Sequence, residues 1–335
     1  MNTLIPEGYT SSLGMYDTQK GIGTLKRLFE DNLAARLHLR RVSAPLFVEA
    51  STGLNDNLSG VERPVSFTVS ATGTEAQVVH SLAKWKRMAL YRYDFYPGNG
   101  LYTDMNAIRR DEEVLDNLHS VYVDQWDWEK VITREERNVE YLKETVLQIV
   151  HAIADTCEKI NEIYPVLGTH IDREVSFVTT QELEDMFPDL TPEQREDAYV
   201  REHPTTFLMQ IGGKLRSGKV HGLRSPDYDD WNLNGDILFW NDLLKRSFEI
   251  SSMGIRVDSE SLDRQLRESG CDDRRALPFH KMLLEDKLPL TIGGGIGQSR
   301  LSMLLMNKAH IGQVQSSVWD EETRAACEKA GIVLL

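Results

Sequence analysis

Three short blocks of this chain carry more charge, amide and glycine than a packed core needs. HSLAKWKR runs from His80 to Arg87, HSVYVDQWDWE from His119 to Glu129, and TIGGGIGQSRL from Thr291 to Leu301. In the second, side chains alternate if the segment is a strand, so Gln125 and Asp127 share one face while Trp126 and Trp128 fill the other. A solvated hairpin accounts for the acidic loop after Arg109 but not for polar groups set between tryptophans, which fit a pocket wall. In the third, Gly293, Gly294, Gly295 and Gly297 permit close backbone approach. Arg300 behind them offers a planar cation for a base or a phosphate. The block follows no strand–turn–helix unit and lacks the terminal Lys-Ser/Thr pair, so it is neither a dinucleotide fingerprint nor a Walker A loop. By itself it is equally a tight strand-to-helix turn. The first block supplies Lys84 and Lys86 near a predicted strand end, where a lysine usually faces solvent. Together the blocks point to an enzyme site that binds a nucleotide.

Two further segments add carboxylates. RSPDYDDWNLNGDILFWN places Asp227, Asp229, Asp230 and Asp236 within ten residues. So dense a cluster repels itself unless cations or donors sit among it, and Mg²⁺ on ATP phosphates is one such cation; a helix cap with a surface loop is the plainer alternative. Asp236 opens a predicted strand and Glu249 lies on the next, a pair able to hold the metal. Ser251, Ser252 and Arg256 extend the same wall. In NDNLSG, Asp56 falls in a turn-rich loop, where turn-capping aspartates are common.

Periodicity predicts the elements that position these groups. Thr18–Leu37 has a helical stripe through Ile22, Leu25, Phe29, Leu33 and Leu37. Glu136–Ile163 is a long amphipathic helix facing inward through Leu142, Val146, Ile149, Ile153, Cys157 and Ile160. Short helices are expected at 181–186, 192–200 (after the Thr191-Pro192 start signal), 259–268 and 298–306. Strands are expected at 42–48, 65–69, 118–128, 207–211, 237–240 and 248–257. Val65, Phe67 and Val69 would form one buried face. The mixture lacks a regular βαβ rhythm, so the expected class is α+β, a mainly antiparallel sheet flanked by helices in one domain.

Composition sets bounds. The 335 residues are 41% hydrophobic and 27% charged, an ordinary globular balance. A net charge of −14 disfavours a broad nucleic-acid surface. Three scattered cysteines make neither a disulfide framework nor a zinc signature and fit a reducing, cytoplasmic setting. No signal peptide is legible, and no apolar run nears the roughly eighteen residues of a membrane span.

The motifs DNLSG, HSLAKWKR, LYTDM, HSVYVDQWDWE, PDYDDW, LNGDI, SSMGIRVD and GGGIGQSRL occur in this order, and the chain resembles ammonia-dependent asparagine synthetase, the type A aspartate–ammonia ligase. The likeness runs from the helix at Thr18 to Trp319. It implies the catalytic core of class II aminoacyl-tRNA synthetases, with residues 1–17 as an N-terminal extension. The implied reaction turns aspartate, ATP and ammonia into asparagine, AMP and pyrophosphate through β-aspartyl-AMP. Arg109 resembles the motif 2 arginine on the α-phosphate, the glycine block resembles motif 3, and Leu25–Phe47 with Pro45 resembles motif 1, which implies a homodimer. Asp56, Lys86, Arg109 and Asp127 are the implied catalytic residues. Ser81, Gln125, Ser252 and Arg256 are implied to bind aspartate. Ser120, Tyr228, Asp229, Gly295 and Arg300 are implied for the nucleotide, and Asp236 and Glu249 for Mg²⁺. Glutamine-dependent asparagine synthetases use an N-terminal cysteine. Here residue 2 is asparagine and the first cysteine is Cys157, inside a predicted helix, so free ammonia is the expected nitrogen source. An adenylating synthetase with another acceptor, or a non-catalytic sensor on the same fold, is the competing reading. The first lacks a visible basic tRNA-binding domain. The second would tend to lose Arg109, Arg300, Asp236 and Glu249, all of which are present.

Overall fold

The structure, a computed structural model, describes residues 3–56 and 62–335. Its eleven strands are β1 (Leu39–Arg41), β2 (Phe47–Glu49), β3 (Ser66–Val69), β4 (Thr74–Val78), β5 (Gly100–Ile108), β6 (Tyr122–Val131), β7 (Ser176–Thr179), β8 (Thr205–Met209), β9 (Asp229–Asn241), β10 (Arg246–Arg256) and β11 (Thr291–Gly297). The helices are α1 (Met15–Leu37), α2 (Ala83–Arg92), α3 (Val139–Ile163), α4 (Thr180–Met186), α5 (Pro192–Glu202), α6 (Ser259–Glu268), α7 (Pro278–Leu284), α8 (Gln298–Leu305) and α9 (Glu321–Lys329). Eight strands form one sheet in the order β1-β5-β6-β11-β10-β9-β8-β7, and β2-β4-β3 form a small second sheet. The large sheet is antiparallel from β5 through β8, but β1 joins β5 and β7 joins β8 in parallel. The fold is therefore α+β with a mixed sheet.

The sheet's two faces have different work. On one, Trp126 and Trp128 of β6 are fully buried against the apolar stripes of α1 and α3. Phe29 of α1 meets Trp126 at 4.6 Å between ring centres, and the indole N–H donates to Glu30 at 2.9 Å. The helices themselves are tied by Asn32 and Thr156 at 3.0 Å. Alternation then forces Gln125, Asp127 and Glu129 onto the opposite face, under α2. A second apolar cluster, through Leu82, Met88, Met105, Val257, Leu262 and Phe279, supports that side.

Several expectations need correction. The run 42–48 is no single strand: β1 ends at Arg41 and β2 begins at Phe47, and Pro45 between them has no N–H for a ladder. The face expected to bury Val65, Phe67 and Val69 is only half-buried at the two valines and open at Phe67, which is 41% exposed and packs edge-on to Phe47. The segment 118–121 is not strand, and β6 starts at Tyr122. Among the described residues no helix is long and apolar enough to cross a membrane.

Residues of the N-terminal stretch lie on the body of the protein. Asn117 exchanges hydrogen bonds with the main chain of Leu4 at 2.7 and 2.8 Å. Buried Lys308 donates to Ser11 at 2.6 Å and to Thr18 at 2.8 Å. Burial lowers the Lys308 ammonium to about 8, against roughly 10.4 in an unfolded chain. Between those values the unfolded chain holds more protons, so this group makes stability rise with pH across that window and level off above it. Relative to Lys308→Met, the wild-type protein should gain on the order of 2 kcal/mol between pH 7.5 and 10.5 in denaturant unfolding. A pH-independent difference would contradict the assignment.

Candidate active site

The polar face of β6, the glycine strand β11 and the end of β10 form the floor of a cleft. Register sets Asp127 beside Gly295, and Gly295 beside Ser252. These glycines are strand residues in the middle of the sheet, not a turn. A Cβ on Gly294 would fall 2.6 Å from Met253 Cβ and 2.9 Å from the Ser252 carbonyl, both fixed by pairing. A Cβ on Gly295 would fall 2.4 Å from the Gln125 amide oxygen. Gly294→Ala should therefore cost about 2 kcal/mol of stability by overpacking, read as a lower denaturant midpoint. An unchanged midpoint would show that the sheet yields there.

Two cavities open above this floor. One, of about 340 Å³, is lined by Asp56, Ser81, Lys86, Arg109, Gln125, Asp127, Tyr228, Asp229, Glu249, Ser252, Arg256 and Gly295, among others. The other, of about 220 Å³, is lined by Arg109, Ser120, Gln125, Glu249, Gly295 and Arg300, among others. They share Arg109, Gln125, Glu249 and Gly295. The structure thus gathers most of the site residues named above. Tyr228 and Asp229 line the first cavity, beside Lys86, rather than the cavity of Ser120 and Arg300. Asp236 lies behind the wall, its carboxylate accepting from Arg224 at 2.6 Å. The loop that carries Asp56 continues into residues 57–60, which lie outside the described residues.

The cations of the first cavity differ in what they hold. Lys86, on α2, is fully buried rather than solvated, and pairs with Asp127 while donating to the Gly294 carbonyl at 3.0 Å. Burial pulls its ammonium below the usual lysine value, against the pull of Asp127. Arg256 makes a forked bond to Glu129 at 3.1 and 2.8 Å and a further one to Asp229. Burial pushes Glu129 upward, but Arg256 and Lys86 outweigh it and hold the carboxyl below its usual range. Arg109 follows the end of β5. It donates to the His80 carbonyl at 3.2 Å, and its Nε is buried without a hydrogen-bond partner among the described residues. Arg300, in the first turn of α8, donates to the Glu249 carbonyl at 3.0 Å and lies 3.6 Å from its carboxylate. Ser120 donates to Ser317 at 2.8 Å, and Ser81 accepts the Ala83 amide at 3.1 Å.

The aspartate cluster is balanced by the protein's own side chains. Asp227 is buried with Lys84 at 3.1 Å, Arg274 at 3.0 Å and His280 at 2.9 Å. Asp229 holds Arg256, and Asp230 accepts from Arg137 at 2.6 Å. Lys84, expected in solvent, is thus a buried structural cation. Asp236 is likewise paired, with Arg224, but burial, opposed by that arginine and reinforced by Glu249, lifts its carboxyl to about 7. Asp236 and Glu249 interact as like charges and together offer the hard oxygen donors that a divalent cation takes. Among the described residues no group of three or more His, Cys, Asp or Glu is arranged to hold a metal, so such an ion would take its remaining ligands from water or phosphate. Glu129 and Arg224 escaped the sequence analysis. A charged residue next to Trp128 was the one signal for Glu129, and Arg224 had none beyond its place before the aspartates.

A cleft floored by antiparallel strands, with a motif-like arginine after β5 and a glycine strand leading into α8, defines the class II aminoacyl-tRNA synthetase fold. Solved structures bear this out at the level of the fold. Asparaginyl-tRNA synthetase from Pyrococcus horikoshii with asparaginyl-adenylate matches with a TM-score of 0.62 at 14% identity, over 90% of this chain and 68% of that one. The Entamoeba histolytica asparaginyl-tRNA synthetase matches at 0.61 and 13%, over 90% and 67%. The profile of the aspartate–ammonia ligase family matches residues 16–331. An aspartate–ammonia ligase of Clostridium tetani is 61% identical over 99% of this chain and 97% of its own, and one of Lactobacillus johnsonii is 58% identical over the full length of both. The chain belongs to the aspartate–ammonia ligase family, and is a carbon–nitrogen ligase.

Proposed function

We propose that this protein makes asparagine from aspartate and ammonia with ATP, releasing AMP and pyrophosphate through β-aspartyl-AMP. The observation that carries this reading is the meeting of two cavities at Arg109, Gln125, Glu249 and Gly295. An amino acid in the first cavity and a nucleotide in the second would place a carboxylate and an α-phosphate at that junction. The attack joins two anions, so a cation must sit there and strengthen its hold as charge spreads. Arg109 has donor capacity left, whereas Lys86 and Arg256 are engaged by protein carboxylates. Lys86, Ser81, Gln125, Ser252 and Arg256 orient the aspartate, which matters for a reaction between two bound molecules. Ser120, Gly295 and Arg300 hold the nucleotide, with Tyr228 and Asp229 facing the reacting end. Asp236 and Glu249 would hold Mg²⁺, which offsets phosphate charge when bound. Ammonium has no free lone pair. An anionic group must accept its proton before nitrogen attacks the adenylate carbonyl and AMP leaves. Asp56 is the first candidate and Asp127 the second.

The same reading makes residues 1–335 one catalytic domain with a mainly antiparallel class II core. It is cytoplasmic, pairs as a homodimer through the region of α1 and β1, and binds neither nucleic acid nor membrane. The adenylation step is tested by exchange of labelled pyrophosphate into ATP without ammonium. Exchange should depend on aspartate and Mg²⁺. Asparagine formation without any such exchange would favour a concerted route.

A further inference from the structure

Arg224 occupies a position whose consequence reaches beyond structure. It lies in the segment between β8 and β9 and lines both the 340 Å³ cavity and a larger one of about 820 Å³ on its other side. One nitrogen donates to Asp236 at 2.6 Å, another to Ser252, and Nε is buried with no hydrogen-bond partner among the described residues. Asp236 is the carboxylate to which the proposed function assigns Mg²⁺, so the inference rests on that reading. A guanidinium and a divalent cation on one partly desolvated carboxylate repel each other strongly. The arginine must leave for the metal to bind well, and the cavities on both sides leave it room to move.

We propose that Arg224 is a resident cation at Asp236, displaced when metal and nucleotide arrive, whose freed guanidinium then binds an oxyanion of the incoming ligands. That oxyanion is a carboxylate of aspartate or a phosphate of ATP; both suit a planar fork of donors. The exchange couples the two ligands. Until the metal arrives, Arg224 neutralises Asp236, and it becomes available to an anionic ligand only as the metal takes its place.

The test is titration with Mn²⁺ alone, without nucleotide or turnover, followed by the electron paramagnetic resonance of free Mn²⁺. Arg224→Met should bind Mn²⁺ about tenfold more tightly than wild type, the scale of one ion pair no longer competing. Adding Asp236→Asn to that variant should abolish the gain. In steady-state assays with saturating Mg²⁺, the same Arg224→Met enzyme should show a KM raised about tenfold for one ligand. A rise for aspartate assigns the oxyanion to its carboxylate; a rise for ATP assigns it to phosphate. A role limited to holding the fold would not tighten metal binding while weakening a substrate. If Arg224→Met does not fold by circular dichroism, Arg224→Gln, which keeps hydrogen bonds but not charge, carries the same expectation. Unchanged or weaker Mn²⁺ binding in a folded variant overturns the proposal, as does a variant in which neither KM moves. Failure of the wild-type protein to form asparagine would sink the ligase mechanism instead, and the Mn²⁺ comparison would still be readable.

Discussion

Arg109→Met is expected to lower kcat/KM for asparagine formation about 10³-fold, on the order of 4 kcal/mol of transition-state stabilisation. Arg109 lines both cavities, and its Nε has no hydrogen-bond partner among the described residues. The other buried cations on this floor are fixed by Asp127, Glu129 and Asp229. Removing Arg109 therefore takes charge from the reacting junction. Stability should change little, and the loss should fall on aspartate-dependent pyrophosphate exchange as heavily as on the overall reaction. Exchange kept at the wild-type rate would place the phosphate contact elsewhere.

Asp56→Asn should separate the two half-reactions. Asp56 is 2% exposed, its amide is held by the Asn55 side chain at 2.9 Å, and its carbonyl faces the His80 ring at 3.2 Å. The alternative acceptor, Asp127, is paired with Lys86. The substitution is nearly isosteric and removes the charge and the ability to take a proton. Asparagine formation should fall about 10²-fold, the usual scale of general-base loss, while pyrophosphate exchange stays within a few-fold of wild type. Equal loss in both assays would refute the assignment.

What was legible in the sequence followed from periodicity. The stripe of α1, the long apolar face of α3 and the limits of α6 were read closely because each buries one face against the sheet or the second core. The alternation of β6 also placed Gln125 and Asp127 together in the cleft. The misses share a cause: pairing across long sequence separation. Nothing near Lys84 announces Asp227, 143 residues away, and nothing near Arg256 announces Glu129, 127 residues away. A lysine read locally is therefore taken as solvated, and the partners that balance the aspartate cluster cannot be named from its own segment. The glycine block misled in the opposite way. Glycine disfavours strands, yet here a strand is the element whose neighbours, Met253 and Gln125, fill the space a side chain would need. Pro45 interrupted what looked like one strand, and Phe67 of the small sheet stays exposed.

The central claim, ammonia-dependent amidation driven by adenylate formation, is tested most directly by measuring AMP and asparagine together from aspartate, ATP and Mg²⁺, with ammonium or glutamine as the nitrogen source. The account predicts AMP and asparagine in equal amounts with ammonium and neither with glutamine. ADP in place of AMP, or asparagine formed from glutamine by the purified protein, would contradict it.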